Sequence, residues 1–334
     1  MKPLDTLIVV VALALSANSA YASAPILYRH HWSVSADVHG TLRIDLDSQD
    51  VRMRVVPGDK VNVTVTIRGD ADHKQELIKR YKPTVKRDGN DVVIRSPHQD
   101  HEWRWFSFND DTSALIEVVL PPGMAVHFKV DSGDVSFDGP HDQAVINGRA
   151  DSGDIGIRAA SPMLDVTADS GDVRVTLSQP AKRVTLAADS GDVHFEGGAN
   201  ELKIKADSGD ITAIGPTGNA DLHADSGDIR VNGLSGSLRA EADSGDVEAE
   251  WRQLASDAQI NVKADSGDVT LTLPGNARLR GEARTENGSL DSDFPGNYNK
   301  DRDRLTLSGS AAAVPVQIQT QSGDIDLRKG NSER

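Results

Sequence analysis

Aspartate carboxylates are the side chains of this sequence whose type and spacing most strongly indicate chemistry. The motif Asp-Ser-Gly-Asp occurs eight times in identical form, at intervals of 18 to 22 residues. Its sixteen aspartates are Asp131, Asp134, Asp151, Asp154, Asp169, Asp172, Asp189, Asp192, Asp207, Asp210, Asp225, Asp228, Asp243, Asp246, Asp265 and Asp268. Carboxylates in such numbers could share a proton in catalysis or bind a hard cation such as calcium.

Asp-Ser-Gly is also the short signature of an aspartic-protease half-site, in which two aspartates share one proton. That mechanism needs one converging pair, whereas eight equivalent copies would be spread along a rod at about 4.8 Å per copy. The chain carries no Ser-His-Asp signature, phosphate loop or dinucleotide fingerprint either. We therefore expect no catalytic residue and no cofactor.

Calcium binding is a more specific hypothesis for the repeated aspartates than proton sharing. Carboxylates stacked about 4.8 Å apart repel one another, so a bound cation would relieve a real cost. However, the motif differs from the Gly-Gly-x-Gly-x-Asp nonapeptide of calcium-binding solenoids. Turn capping and screening by sodium account for the aspartates without a specific metal. We predict no metal site and regard the sixteen aspartates as the only calcium candidates.

Three other groups of residues resemble metal sites superficially. Residues 98–102 (HQDHE) contain four zinc-type ligands, but no further ligand follows at a diagnostic spacing. The pair His30 and His31 is a weaker zinc signal. The loop that begins at Asp291 has Arg302 at the twelfth position, where an EF-hand needs glutamate.

An aromatic cluster stands apart from the repeat. Four of the fourteen aromatic residues of the chain are Trp103, Trp105, Phe106 and Phe108. They form either a stacking surface for a sugar or peptide partner, or an aromatic cap that closes the N-terminal end of a repeat fold. We favour the cap, because large apolar side chains are usually buried.

The motif itself predicts a turn between two strands. Ala precedes seven of the eight copies, and Val or Ile follows all eight. Apolar residues alternate on both sides, as in Val184 and Leu186 before one copy and Val193 and Phe195 after it, which indicates strands. Gly supplies a positive φ, and the first Asp is expected to accept a hydrogen bond from the backbone two residues on.

The period predicts how these turns are stacked. Between successive copies lies a second, irregular turn rich in Gly, Pro, Ser and Asn, as at 178–182 and 215–219. Two strands and two corners per period make one coil of a flattened solenoid. An antiparallel meander would leave an apolar face that one helix cannot cover. A membrane barrel needs strands of about 9 to 11 residues, against about five here.

We therefore predict an all-β parallel solenoid of two-strand coils, each of 18 to 22 residues, with one short helix in the N-terminal part. Residues 23–122 are predicted to form irregular coils and a cap, 123–275 the regular repeat, and 276–334 degenerate coils and a tail, all in one continuous elongated domain. Within the first part, Asp47-Ser48-Gln49-Asp50 forms a corner with Gln in the Gly position. Asp72 to Lys82 is the helix, with Asp72 as N-cap, and Val85 to Ile94 is a hairpin.

Residues 1–22 predict export. Lys2 precedes the apolar run Leu7 to Leu15, and Ala20-Tyr21-Ala22 fits a signal-peptide cleavage site, so the mature chain begins at Ser23. The apolar run is too short to span a membrane, and we expect no transmembrane segment in the mature chain. The net charge of −15 is accounted for by the repeated motif, so a nucleic-acid partner is not expected. With no Cys, disulfides are absent.

The segment Ile116-Glu117-Val118-Val119-Leu120-Pro121-Pro122-Gly123, followed by repeated Ser-Gly-Asp-Val/Ile corners, resembles the DUF4097 family of bacterial adhesin-like β-strand repeat proteins. The resemblance covers nearly all of the mature chain. It implies a parallel β-solenoid at the cell envelope, in the periplasm or on the outer surface, and no catalytic residues. We expect a monomeric, non-enzymatic surface for adhesion or scaffolding, whose partner is a protein or glycan. Alternatives are an accessory of envelope-stress sensing and a polysaccharide-acting β-helix enzyme.

Overall fold

The computed structural model describes residues 24–97, 112–215 and 218–330. The predicted signal peptide, the residues 98–102 of the zinc hypothesis and the aromatic cluster from Trp103 to Phe108 lie outside these residues. No helix within them is long and apolar enough to cross a membrane. The described chain forms two sheets, one of fourteen and one of fifteen strands, together with a single short α-helix.

The N-terminal part contains strands of both sheets and the helix. In chain order it consists of β1 (Ile26–Ser35), β2 (Thr41–Leu46), β3 (Asp50–Val55), β4 (Lys60–Arg68), a 3₁₀ turn (Ala71–His73), α1 (Lys74–Tyr81), β5 (Thr84–Asp88), β6 (Asp91–Arg95) and β7 (Ser113–Leu120).

The regular part consists of eight coils, each with one strand before the Asp-Ser-Gly-Asp corner and one after it. Their strands are β8 (Ala125–Ser132) and β9 (Val135–Gly139), β10 (Ile146–Ser152) and β11 (Ile155–Ala159), β12 (Met163–Ser170) and β13 (Val173–Leu177), β14 (Ala181–Ser190) and β15 (Val193–Glu196), β16 (Ala199–Ser208) and β17 (Ile211–Ile214), β18 (Asn219–Ser226) and β19 (Ile229–Leu234), β20 (Leu238–Ser244) and β21 (Val247–Trp251), and β22 (Ile260–Ser266) and β23 (Val269–Pro274).

The C-terminal part adds two more coils and a small antiparallel extension. Its strands are β24 (Leu279–Asn287), β25 (Leu290–Ser292), β26 (Gly296–Tyr298), β27 (Arg304–Ser308), β28 (Val314–Ser322) and β29 (Ile325–Gly330). We call the sheet that contains β8 to β22 the entry sheet, because its strands lead into the corners. The opposite sheet, which contains β9 to β23, is the exit sheet.

Successive coils pair in parallel and in register, which confirms the predicted solenoid. On the entry sheet, Ala150 lies beside Val130 in one neighbouring coil and beside Ala168 in the other. On the exit sheet, Ile155 lies between Val135 and Val173. The two strands that flank a corner belong to different sheets, so they do not form an antiparallel hairpin.

The core lies between the two sheets and follows the predicted alternation. Leu186 and Ala188 of β14 and Val193 and Phe195 of β15 are at most 1% exposed, whereas the residues between them reach solvent. All seven alanines before a corner are buried, at most 1% exposed. Burial of a Val, Leu or Phe side chain contributes about 1.5 to 3 kcal/mol.

The corner glycines are required for two reasons. From Gly153 to Gly267 their φ angles lie between 128° and 150°, where side-chain-bearing residues are strained. In the same range, a Cβ would lie 2.0 to 2.3 Å from the carbonyl oxygen of the glycine in the preceding coil. The glycine N–H also donates to the serine carbonyl of the next coil, as from Gly133 to Ser152 at 2.9 Å.

The first coil confirms that Gln49 takes the place of a corner glycine. Strands β2 and β3 pair in parallel with β8 and β9, and the carbonyl of Gln49 lies beside Gly133. The side chain of Gln49 is buried, where its Oε1 accepts from Ser96 Oγ at 3.1 Å and its Nε2 donates to the carbonyl of Tyr81 at 3.2 Å. It thus provides a partner for a carbonyl at the end of α1.

Two N-terminal predictions need correction. The N-cap of the helical segment is Asp70, whose side chain accepts from the backbone N–H of Asp72 at 2.9 Å; Asp72 itself begins no helix but lies within the 3₁₀ turn. The parallel solenoid predicted for the whole chain does not extend to β4, which lies within residues 23–122 and pairs antiparallel with both β1 and β7. The hairpin of β5 and β6 forms as predicted.

The coils at both ends do not stack in chain order. The coil of β2 and β3 lies between β6–β7 and β8–β9, and the coil of β28 and β29 lies between β22–β23 and β24–β25. The corner at Gln321 to Asp324, the last in chain order, is therefore an internal one of the stack. Residues 275–278 lead from β23 to a coil that lies two strand spacings, about 9.6 Å, further along the stack. The chain later returns as β28 and β29, which fill the position left between them and pair the backbone groups of the strands on either side.

Replacing Gly209 by Ala should destabilise the solenoid by more than about 3 kcal/mol, because the Cβ would lie 2.1 Å from the carbonyl oxygen of Gly191 and φ is 149°. The matched control is Gly156→Ala in β11, where a Cβ would have no atom within 4 Å. Urea unfolding of both variants measures the difference. Equal stability of the two would contradict this account of the corner.

Candidate functional site

The second aspartate of each corner binds the neighbouring coil. Its Oδ1 accepts a hydrogen bond from the backbone N–H of the equivalent residue one coil further on, at 2.7 to 3.1 Å. We call these ten residues the aspartate ladder: Asp50, Asp134, Asp154, Asp172, Asp192, Asp210, Asp228, Asp246, Asp268 and Asp324. The last of them accepts from Ser289, which stands in the place of an aspartate. The ladder continues across the coils that stack out of chain order.

The first aspartate of each corner does not behave as predicted. No first aspartate of the eight described corners accepts a backbone hydrogen bond from two residues on, because that glycine N–H already donates to the next coil. Several pair instead with a cation two residues earlier: Lys129 with Asp131 at 2.9 Å, Lys205 with Asp207 at 2.7 Å, and Lys263 with Asp265 at 3.1 Å.

Arginines join carboxylates of adjacent coils. Arg149 contacts Asp151 at 3.1 Å and Asp169 at 2.7 Å. On the other side of the corner, Arg230 contacts Asp228 at 2.6 Å and Asp210 at 3.5 Å. These cations offset part of the repulsion that the calcium hypothesis invoked. Within residues 24–97, 112–215 and 218–330, no three His, Asp or Glu side chains converge to hold a metal ion.

Position along the ladder changes the acidity of individual carboxyls. Burial raises the pKa of Asp50, and repulsion from the charge of Asp134 raises it further. At the other end, the backbone N–H of Ser289 donates to Asp324 and lowers the pKa of that carboxyl. The ladder is therefore an arrangement of structural hydrogen bonds with local variation, not a shared proton site.

A further aspartate, Asp142, is almost fully buried outside the repeated corners. It is 3% exposed; its Oδ1 accepts from the N–H of Gly123 at 2.7 Å, and its Oδ2 has no hydrogen-bond partner among the described residues. Burial raises the pKa of this carboxyl. The side chain joins the turn after β9 to the turn before β8.

A polar groove crosses the outer face of the entry sheet. It has a volume of 500 Å³ and runs over five coils, from β14 to β22. One row of its lining occupies equivalent positions of adjacent strands: Thr185, Lys203, Asp221, Arg239 and Asn261. Neighbours in this row are about 4.8 Å apart, so hydroxyl, ammonium, carboxylate, guanidinium and amide groups alternate over about 19 Å.

A second row lies two residues earlier on the same strands. Arg183 pairs with Glu201 at 2.8 Å, and Asn219 Oδ1 accepts from the backbone N–H of Ser237 at 3.2 Å. Arg239 of the first row lies 3.8 Å from Asp221. The groove therefore offers donors and acceptors side by side, with its two carboxylates each beside an arginine.

Sequence reasoning did not identify this groove, although a signal for it exists. Each residue of the first row lies four positions before the first Asp of its motif. The period-two pattern predicts that such positions face outward. Nothing in the pattern says which outward rows border a concavity.

The weaker histidine hypothesis receives a structural explanation. The ring of His30 lies between Tyr28 and Trp32 on β1, with ring centroids 6.1 and 4.4 Å away. The Nδ1 of His31, on the opposite face of the strand, lies 3.1 Å from Thr64 Oγ1. The two side chains thus take part in different contacts.

A family model described as Toastrack DUF4097 matches residues 41–217 and 199–328. The chain belongs to this family. The matched residues extend from β2 to β29 and include every regular coil, so the Toastrack family assignment agrees with the β-solenoid described above.

Three solved structures are similar to this Toastrack chain at low identity. A putative lipid binding protein from Parabacteroides distasonis is 12% identical, with 91% of this chain and 97% of that chain covered and a TM-score of 0.47. A putative adhesin from Bacteroides fragilis is 11% identical, with 91% and 97% covered and a TM-score of 0.35. A putative cell adhesion protein from Clostridium sporogenes is 9% identical, with 91% and 99% covered and a TM-score of 0.25. No curated protein matches the chain.

Asp192 and Asp189 of one corner provide a matched test of the ladder. Asp192→Ala should destabilise the protein by about 1 kcal/mol, because the N–H of Asp210 loses its acceptor at 2.9 Å. Asp189→Ala should be neutral or slightly stabilising, because Asp189 forms no hydrogen bond or ion pair with a described residue. Chemical denaturation of both variants provides the measurement. A larger loss at Asp189 would contradict the assignment of the ladder to the second aspartate.

Asp142→Asn should become increasingly more stable than the parent protein as pH rises. The raised pKa of Asp142 means that its contribution to stability is fully present below the unfolded-state pKa and is lost as pH rises through the folded-state pKa. Asn keeps the acceptor for Gly123 and carries no charge, so we expect a gain of about 1 kcal/mol at pH 7 that disappears near pH 3. Urea unfolding from pH 3 to 7 measures it, with the exposed Asp189→Asn as control. A pH-independent difference would show that the buried charge is not responsible.

Proposed function

We propose that this Toastrack protein is an exported, non-enzymatic component of the cell envelope that binds a protein or glycan partner through the polar groove of the entry sheet. The observation that carries the proposal is the groove itself, a row of alternating donors and acceptors on a stack of parallel strands. The protein acts as a monomeric, adhesin-like surface in the periplasm or on the outer face of the cell.

The chemistry of the groove suits ligands rich in hydroxyl or amide groups. Sugar hydroxyls and peptide groups both donate and accept, and the row from Thr185 to Asn261 contains donors at Lys203 and Arg239 with an acceptor at Asp221 between them. In-register strands fix the backbone positions of the row before a ligand arrives. Binding therefore costs less conformational entropy than it would if the backbone had to become ordered. The repeat along the stack also matches a partner that is itself repetitive.

Proton-transfer catalysis is a weaker interpretation of the same residues. Glycoside hydrolysis requires two carboxyls in different environments on either side of one bond. Here Glu201 lies against Arg183 and Asp221 near Arg239, and the corner carboxylates are distributed in ladder and ion-pair contacts. These arrangements support recognition more than turnover.

The double change Lys203→Ala and Asp221→Ala should reduce cell attachment and binding to surface glycans, because it removes adjacent groove groups without altering the net charge. The control is Arg158→Ala with Asp138→Ala, an ion pair of 2.8 Å on the exit sheet that also leaves the net charge unchanged. A glycan array with the purified protein and an attachment assay with cells provide the readouts. Equal loss in both variants would contradict the groove as the binding surface.

Cell fractionation tests export, and deletion of the gene tests the alternative role in envelope-stress sensing. Fractionation should find the protein outside the cytoplasm, with Ser23 as its N-terminal residue. Retention in the cytoplasm with an intact Met1 would contradict export. If deletion of the gene activates an envelope-stress reporter while attachment is unchanged, the stress-sensing role replaces the adhesive one.

A further inference from the structure

A large cavity lies on the side of the stack opposite the Asp-Ser-Gly-Asp corners. Its volume is 1320 Å³, and its walls are the ends of β21, β23 and β29 together with the connections that follow β21 and β23. It is separate from the polar groove, with which it shares no lining residue. The proposed function does not use it.

The charge of this cavity is opposite to that of the chain. Among the described residues, its lining includes the cations Arg252, Arg278, Arg328 and Lys329, and one acid, Glu250. The whole chain carries a net charge of −15. A concave surface with an excess of cations in an acidic protein concentrates positive potential where anions can enter.

Two of these cations, Arg252 and Arg278, have neither an ion-pair partner nor a ring contact among the described residues. Arg328 pairs with Asp326 at 2.6 Å, and Lys329 Nζ lies 5.4 Å from the ring of Phe294. Arg252 and Arg278 are exposed and form no ion pair with any residue in the described parts of the chain. Two guanidinium groups of the lining therefore form no ion pair within the described part of the chain.

The irregular stacking of the C-terminal coils creates this cavity. The regular corner interval is longest, at 22 residues, where Arg252 to Gln259 connects β21 to β22. The next connection, residues 275–278, passes over the coil that β28 and β29 later fill. The two connections diverge around the ends of the exit strands, and Leu254 and Pro274, both half-buried, provide apolar surface between them.

We propose that this basic cavity binds a phosphate-bearing ligand. Planar guanidinium groups bind phosphate oxygens through paired N–H donors, and a phosphate group with up to two negative charges matches a cavity that holds four cations. Leu254 and Pro274 contact the uncharged part of the ligand. Phosphate groups of this kind occur in soluble phosphorylated compounds and in lipid headgroups, and the experiment separates these two sources.

The test uses the full mature protein and two probes. Isothermal titration with sodium tripolyphosphate measures binding of soluble phosphate, and co-sedimentation with phosphatidylglycerol vesicles, compared with phosphatidylcholine vesicles, measures binding of a lipid headgroup. The variant is Arg252→Gln with Arg278→Gln. Its control is Arg52→Gln with Arg54→Gln, which makes the same charge change on exposed positions of β3, at the other end of the stack.

We expect the cavity variant to bind at least about tenfold more weakly to whichever probe binds the parent protein, with unchanged melting temperature. The β3 control should bind as the parent does. Glu250→Gln removes the one acidic side chain that the described part of the chain contributes to the lining and should strengthen binding several-fold, an effect that damage to the fold would not produce. Tripolyphosphate binding without vesicle binding assigns a soluble ligand, and vesicle binding assigns a headgroup. Failure of both probes, or equal weakening in the β3 control, would overturn the proposal.

Discussion

The solenoid depends on a close contact between corner glycines. The carbonyl oxygen of one glycine occupies the place where a Cβ of the next would lie, so only a residue without a side chain lets adjacent coils approach to hydrogen-bonding distance. This approach aligns the serine carbonyl with the glycine N–H and the ladder carboxylate with the next backbone N–H. The parallel register of both sheets follows from corners that can stack in only one way.

Once the corners stack, their carboxylates come close together, and the chain offsets the resulting repulsion in two ways. The ladder aspartates accept hydrogen bonds from the backbone N–H groups of the next coil. Cations two residues before or after the motif, such as Lys205 and Arg230, pair with the remaining carboxylate oxygens. The acidic edge is therefore a structural seam whose charge is partly offset, and the polar groove and the basic cavity lie away from it.

Departures from regularity are concentrated at the ends of the stack. Gln49 replaces a glycine because its side chain has partners in Ser96 and Tyr81 that no regular coil offers. At the other end, Thr320 stands in the position of a corner alanine, and its hydroxyl donates to the carbonyl of Gly267 at 3.2 Å. The coil of β28 and β29 is enclosed by β22–β23 and β24–β25, and the loops that permit this order form the basic cavity.

Local sequence determined the repeating unit. The turn, the two strands and the buried alanine are encoded within about ten residues by glycine, by period-two alternation and by side-chain size, so the parallel solenoid and the hairpin of β5 and β6 could be predicted. The partners of the aspartates could not, because the N–H of Gly191, which Asp189 would have used, donates to the next coil, and Asp192 accepts from the next coil. All coils occupy the same height along the stack, the strand spacing of about 4.8 Å, so each of them could take any position in it. Which coil takes which position, which outward row borders a groove, and where unpaired arginines meet were decided only by the tertiary structure, because these outcomes depend on connections between distant segments.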